Sequence, residues 1–373
     1  MRQNTAIDNM SSDSAAPQIQ DGDSDIDIKT FIHGMPKCEL HVHLEGCLTP
    51  GLARQLAERN NLPLPPSLSS LDPSQTGYTF HDLTSFLAVY YPNLSVLQTE
   101  HDFRDLAVDY LTRAHAQNVK HVELFFDPQA HTSRGVPFPT VIRGYRLGLL
   151  MAQRTLGISA SLILCFLRDQ SAEYAMATLM EALPYKDALI GVGLDSDERD
   201  NPPSKFAAVF QRASKEGFLL TAHCDIDQAN SITHIRQCIN EIQVDRIDHG
   251  TNIVEDESLI ETIISKNIGL TCCPVSNSVV TSDFKGREIL TLLRRGVKVT
   301  INSDDPAYFR AYVNENVEKL ARESDVTRKE LIQLQRNAFG ISWISSWRRN
   351  HFLALLDDYE AKMIQSQAMV NGA

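Results

Sequence analysis

The sequence predicts an α/β chain folded as a (β/α)8 TIM barrel with a helical insertion after the first strand, and three observations carry that expectation. Short β-branched or apolar runs alternate with longer amphipathic stretches from Phe31 onward, the pattern that builds parallel βα units. Eight such runs fit into 373 residues, a length near that expected for one barrel. Polar and ionisable residues then collect at the C-terminal ends of the runs, which on a barrel is the catalytic face.

Taken in order, residues 1–29 are rich in Ser, Asp, Gln and Asn and poor in large hydrophobes. They read as a disordered acidic tail ahead of a barrel domain over 30–373. Strands are expected near 38–44, 120–126, 158–166, 189–195, 219–224, 245–249, 268–274 and 298–303. The longest connection, 49–119, carries Phe80, Leu83, Phe86, Leu87 and Tyr90 at helical spacing. That apolar face either packs into the core or forms a lid that keeps water from the reacting centre. From about Asn314 the chain is amphipathic helix that covers the barrel.

A formal net charge of −12 repels phosphate backbones and anionic membranes, so the expected partner is a small molecule and neither nucleic acid nor membrane. The seven cysteines are odd in number, lack a CxxC pair and lie mostly in apolar runs, as reduced thiols of a cytoplasmic protein would. No apolar stretch reaches the roughly 20 residues that span a bilayer. Oligomeric state is not constrained.

The pair His41-Val42-His43 closes the first strand. Successive strand side chains face opposite ways, so histidines at i and i+2 project together and can grip one ion. A catalytic zinc needs about three N/O ligands and an open position for water. His41, His43, His223 and Asp304, at the ends of strands 1, 5 and 8, supply them. Such an ion lowers the pKa of bound water toward neutrality and makes water the nucleophile. His249, ending strand 6, is placed to orient that nucleophile and accept its proton, while Asp305 faces the substrate. Asn-Ser-Asp-Asp-Pro (302–306) also reads as a helix N-cap with Pro in the first turn, which accounts for one of its two aspartates. Asp127, Ser276 and Asn277 read equally as caps or as site residues.

With these residues in place the chain resembles the adenosine/adenine deaminase family of the amidohydrolase superfamily, from about Met35 to the C-terminus. The matching motifs are HVHLEG (41–46), GLDSDE (193–198), AHCD (222–225), DRIDHG (245–250), CPVSN (273–277) and NSDDPAYF (302–309). The resemblance implies one Zn2+ per subunit on His41, His43, His223 and Asp304. It implies a hydroxide-positioning His249, an Asp305 that hydrogen-bonds a purine ring nitrogen, and substrate contacts from Gly193, Asp195, Ser196 and Glu45. The reaction implied is hydrolytic deamination at C6. HLEG where adenosine-acting members usually have HLDG, together with NPPSKF (201–206), resembles the adenine branch. Glu45 then points to a free base or an N6-substituted adenine rather than a nucleoside. Strand 4 ends in Gly-Leu-Asp-Ser and not in the modified lysine of binuclear barrel hydrolases, which favours one metal. His121-Val122-Glu123 mimics an HxE of deaminases on another fold, but no P-C-x-x-C follows.

One departure stands out. The family's strand-5 motif is His-Ala-Gly-Glu, whose glutamate protonates N1, whereas here His223 precedes Cys224-Asp225-Ile226-Asp227. Isoleucine cannot move a proton, so Asp227 is the first substitute and Asp225 the second, unless both cap the next helix. The competing readings are an adenosine deaminase, a barrel hydrolase acting on another aminoheterocycle, and a metal-binding homologue without catalysis.

Overall fold

The computed structural model describes residues 27–71, 77–224 and 227–371, with side chains to 365. Asp225, Ile226 and the tail through residue 26 lie outside the described residues. The end of the expected tail is ordered instead: a helix begins at Ile28, two residues early, and buries Phe31 and Ile32. Asp27 caps it, its carboxylate accepting from the Thr30 N–H at 3.4 Å.

Eight parallel strands follow in sequential order, β1 (Lys37–His43), β2 (Val119–Phe126), β3 (Ser159–Leu167), β4 (Leu189–Asp195), β5 (Leu219–Cys224), β6 (Arg246–His249), β7 (Gly269–Cys272) and β8 (Val299–Ile301). With helices between them this is the expected (β/α)8 barrel. The last two strands are shorter than their apolar runs suggest, for different reasons. β7 stops because Pro274 opens a helix and has no N–H to give the ladder. Beyond β8, side chains take over the pairing: Asn302 Oδ1 accepts from the Leu40 N–H at 2.8 Å, and Glu39 accepts from the Ser303 N–H at 2.9 Å. A single bridge, Val42 to Asp304, then joins the final turn to β1. The seam of the barrel therefore runs through the residues that face its mouth.

Phe125, Ile163 and Cys165 fill the barrel interior, with Trp343 packed against them. The Arg246 guanidinium lies 4.2 Å from the Trp343 ring centroid and donates to Glu123 at 2.6 Å. His121, the other half of the HxE pair, sits on Ser159 at 2.9 Å. These groups form a polar plug inside the barrel, and Arg246 Nε reaches to 3.8 Å from Asp248. Gly193 also belongs to the interior, since a Cβ there would come within 2.6 Å of Cys165 Sγ.

The insertion after β1 is helical, and its helix Leu83–Asn93 starts with an Asp82–Ser85 capping box. The core-packing expectation for its apolar face is met, and part of the same face lines the cleft. Phe86 and Tyr90 pack on the rings of Tyr308 and Phe309, while Leu83, Leu87 and Tyr91 turn toward the barrel mouth. The helix Ser346–Asn371 buries Phe352 and Leu356 against the barrel. All seven cysteines are buried free thiols, and among the described residues no helix is long and apolar enough to cross a membrane.

Candidate active site

The mouth of the barrel holds a cleft of about 670 Å³, the open space at its entrance included. At its floor His41, His43, His223 and Asp304, all buried, each offer one ligand atom within 4.8 Å of the others. The His43 and His223 Nε2 atoms lie 3.2 Å apart, and Asp304 Oδ1 is 3.2 Å from His41 Nε2 and 3.4 Å from His43 Nε2. Asp304 reaches this point with a left-handed backbone, φ +62°, while its amide and carbonyl bond to the His41 carbonyl and the His43 amide at 3.1 and 2.9 Å. A non-glycine residue in that conformation is strained, and two backbone bonds to β1 hold it there.

Which nitrogens face inward follows from the partners on the other side of each ring. Thr271 Oγ1 donates its single proton to the Asp248 carboxylate at 2.8 Å, so it accepts from His41 Nδ1 at 2.9 Å. His223 Nδ1 faces the Leu194 carbonyl at 3.0 Å and must donate to it. Both rings thus carry their proton on Nδ1 and turn a bare Nε2 lone pair toward the cluster, as metal ligands require. Burial pushes His43 down to about 4, and burial with neighbouring imidazoles holds His223 well below its ordinary value. Burial alone would raise Asp304, yet the histidines around it keep it well below the carboxylate range. Neutral imidazoles and an ionised carboxylate are the protonation states that bind a divalent cation. The donor set fits such an ion.

His249 Nε2 lies 3.9 Å from Asp304 Oδ2 at the edge of the cluster. His249 also has a left-handed backbone, φ +58°, and burial holds its imidazole near 4. Asp305 occupies the N-cap position before Pro306, but its side chain makes no capping bond, which removes the cap reading. It lines the cleft instead, raised well above the usual carboxyl range by burial and then by Asp304. Gly46 makes room for it, because a Cβ there would stand 2.0 Å from Asp305 Oδ1.

Asp127 and Asp195 line the opposite wall, and each offers an oxygen within 4.8 Å of the other and of a His43 nitrogen. Asp127 makes no capping bond either. Burial and the facing carboxyl of Asp195 raise Asp127 well above its ordinary range, while burial pushes Asp195 up to about 7. Ser196 accepts from the Tyr91 hydroxyl at 2.7 Å and so ties the insertion helix across the cleft. Ser276 and Asn277 lie within a helix capped by Cys273, not at its cap, and face the cleft. Asp227 lines the cleft from the loop after β5 and accepts from Gln228 at 2.8 Å.

Two of the expected substrate contacts, Glu45 and Gly193, are not among the residues that line the cleft. Glu45 is fully buried and outside the cleft lining: one carboxylate oxygen accepts from His131 Nε2 at 2.8 Å and from the Tyr145 hydroxyl at 2.9 Å. Arg134 donates to His131 Nδ1 at 2.8 Å, which forces the His131 proton onto Nε2 and toward Glu45. Glu45 therefore anchors the β2 loop through one oxygen, while its Oε2 is buried without a hydrogen-bond partner. Gly193 likewise lies outside the lining, and its missing side chain leaves room for Cys165 in the barrel interior. Sequence reasoning missed Thr271 and Arg168. Arg168, the first residue after β3, donates to the His223 carbonyl at 2.8 Å and pairs with buried Glu198 at 3.3 Å, fixing the end of β5. A buried arginine next to an apolar strand was the signal available.

The sequence profile of the adenosine deaminase family matches residues 36–359. An uncharacterized deaminase of Schizosaccharomyces pombe is 48% identical over 334 residues, covering 89% of this chain and 98% of its own. An adenine deaminase of Wolinella succinogenes is 45% identical, covering 86% and 97%. The crystal structure of an adenine deaminase from Arthrobacter aurescens superposes with a TM-score of 0.81 at 38% identity, covering 88% and 98%. A zinc-bound amidohydrolase from Burkholderia ambifaria superposes at 0.82 with 25% identity, covering 95% and 98%. Since the match spans the barrel from the residue before β1 into the C-terminal helix, the chain belongs to the adenosine deaminase family.

Proposed function

We propose that the protein hydrolyses the C6 amino group of an aminopurine, adenine or an N6-substituted adenine, to give hypoxanthine with ammonia or the amine. The observation that carries this reading is the convergence of three imidazoles and a carboxylate under a cleft that also holds His249 and Asp305. The close relatives named adenine deaminases, aligned over nearly their whole length, support the substrate class.

In this reading His41, His43, His223 and Asp304 hold one zinc ion. Their N/O composition suits zinc, and the Burkholderia ambifaria neighbour carries it. The ion, when bound, supplies a water whose pKa is brought toward neutrality. His249, neutral at physiological pH, accepts the proton of that water as its oxygen bonds to C6. Asp305, held protonated, donates to N7 and fixes the ring. Asp227 places a proton on N1, which draws electrons from C6. The amine then leaves with the proton held by His249, the new C6 hydroxyl returns its proton to Asp227, and N1 keeps its own. Water and aminopurine are consumed, and oxopurine and amine are formed. Tyr91 and its neighbours Leu83 and Leu87 on the same helix screen the reacting centre from bulk water.

Ammonia release from adenine, adenosine and N6-methyladenine by zinc-reconstituted protein tests this reading, with chelator-stripped protein as the control. Turnover of at least one aminopurine that is lost with the metal is the expected result. No turnover of any of them by metal-loaded protein refutes it.

A further inference from the structure

A wall of the cleft that the proposed chemistry leaves unused holds a buried carboxyl group, Asp127, 2% exposed, whose Oδ1 accepts no hydrogen bond. An acceptor buried in this way costs stability unless a ligand supplies a donor. The chain invests in its position. Pro128 follows it and excludes helical backbone at Asp127, whose amide faces the Glu45 carboxylate, itself held by His131 and Tyr145, at 3.4 Å.

The circular order of strands shows which edge of the ring meets it, given the orientation proposed above. With C6 over the cluster beside His249 of β6, N1 faces the loop after β5 and N7 faces Asp305 after β8. Those two contacts flank C6, so the opposite edge, N3 and N9, faces the remaining arc of strands. The tips of β2 and β4 there carry Asp127 and Asp195. Apart from its exocyclic amine, adenine's only donor is the imidazole N–H, at N9 on this edge. A nucleoside has a glycosidic carbon at that atom and no hydrogen to give.

We propose that Asp127, with its carboxyl proton turned toward the facing Asp195, accepts the N9–H of a free aminopurine at Oδ1 and so makes the protein select nucleobases over nucleosides. This inference rests on the aminopurine reading and deepens it. Selection against a ligand lacking the hydrogen then comes from a buried acceptor left unpaired and from the carbon forced against it, a device that rejects analogues far more strongly than an apolar pocket does.

The test compares adenine with 9-methyladenine in turnover and hypoxanthine with 9-methylhypoxanthine in calorimetric binding. It uses zinc-loaded parent protein and the Asp127→Ala and Asp127→Asn variants, with metal content and circular dichroism checked. The parent is expected to favour adenine by on the order of 10²-fold or more in kcat/KM, with a parallel preference in binding. Asp127→Ala is expected to lose about 10- to 100-fold on adenine and little on 9-methyladenine, and Asp127→Asn, which keeps one carbonyl acceptor, to fall between. A parent that treats both bases alike overturns the inference even if the variants fail to fold. So does a folded, metal-loaded Asp127→Ala that keeps the parental ratio. If no aminopurine is turned over yet hypoxanthine still binds far more tightly than its 9-methyl derivative, the deamination reading falls and the recognition of N9–H stands. If neither binds, both fall.

Discussion

Replacing Thr271 with valine tests how the metal cluster is held, because it removes one hydroxyl at nearly constant volume far from any substrate. That hydroxyl accepts from His41 Nδ1 at 2.9 Å and donates to Asp248 at 2.8 Å, and all three residues are fully buried. Thr271→Val leaves the Nδ1–H of His41 without its acceptor and Asp248 with the Thr221 hydroxyl, at 2.6 Å, still in place. Stranding a buried donor costs about 1–3 kcal/mol. If most of that cost falls on the state in which His41 is held for the ion, affinity drops by roughly 10- to 100-fold at about 1.4 kcal/mol per decade, the range typical of groups that orient metal ligands. A competitive chelator titration measures the change in zinc Kd, and ammonia release at saturating zinc measures what survives. The expected outcome is a Kd raised within that range with kcat reduced by less than about tenfold, since the four ligand atoms remain. An unchanged Kd refutes the tautomer argument for His41, and so does a loss of kcat with affinity intact.

Asp227→Asn is expected to keep zinc at parental affinity while kcat on adenine falls by about 10²- to 10⁴-fold, the range for a general acid, and full activity would take the N1 proton away from this residue. Gly46→Ala puts a methyl group 2.0 Å from Asp305 Oδ1 and 2.7 Å from its Cα, so the Asp304–Asp305 backbone must move; KM for adenine should rise at least about tenfold with zinc affinity lowered, and unaltered kinetics would remove Asp305 from the ring contact. In metal-free protein, His43 and His249 titrate near 4 when folded against 6.5 when unfolded. Below pH 6.5 the unfolded chain binds protons that the folded chain refuses, so the stability from these neutral rings is complete above that pH. It is lost as pH falls toward 4, by on the order of 3 kcal/mol for each ring. Urea midpoints of the metal-free protein that stay flat between pH 7 and 4.5 would contradict the burial of these imidazoles.

Much of the architecture was written locally. Alternating apolar runs and amphipathic stretches specify strands and helices one element at a time, and eight parallel strands with connecting helices have few ways to close. The histidine pair on β1 was legible for the same reason, since a period of two puts both rings on one side wherever the strand lies. His223, His249 and Asp304 could be read at strand ends because a barrel brings all such ends to one face. Glu45 shows where that logic stops. Its motif suggested a ligand contact, yet it opens the short helical turn Glu45–Cys47 and binds His131 and Tyr145, 86 and 100 residues further along, which no local pattern announces. Gly193 was similarly placed by motif, while the fold spends it on packing against Cys165. The Thr271–Asp248 support beneath His41, the protonation of the rings and the facing of Asp127 with Asp195 were invisible, because each depends on side chains from different strands and on exclusion of water. Sequence alone determined which elements form and which ends they carry, since those are properties of neighbouring residues. Only the tertiary structure decided which polar groups meet, which are buried and which proton each holds, since hydrogen bonding and desolvation act between residues that the chain separates and the barrel brings together.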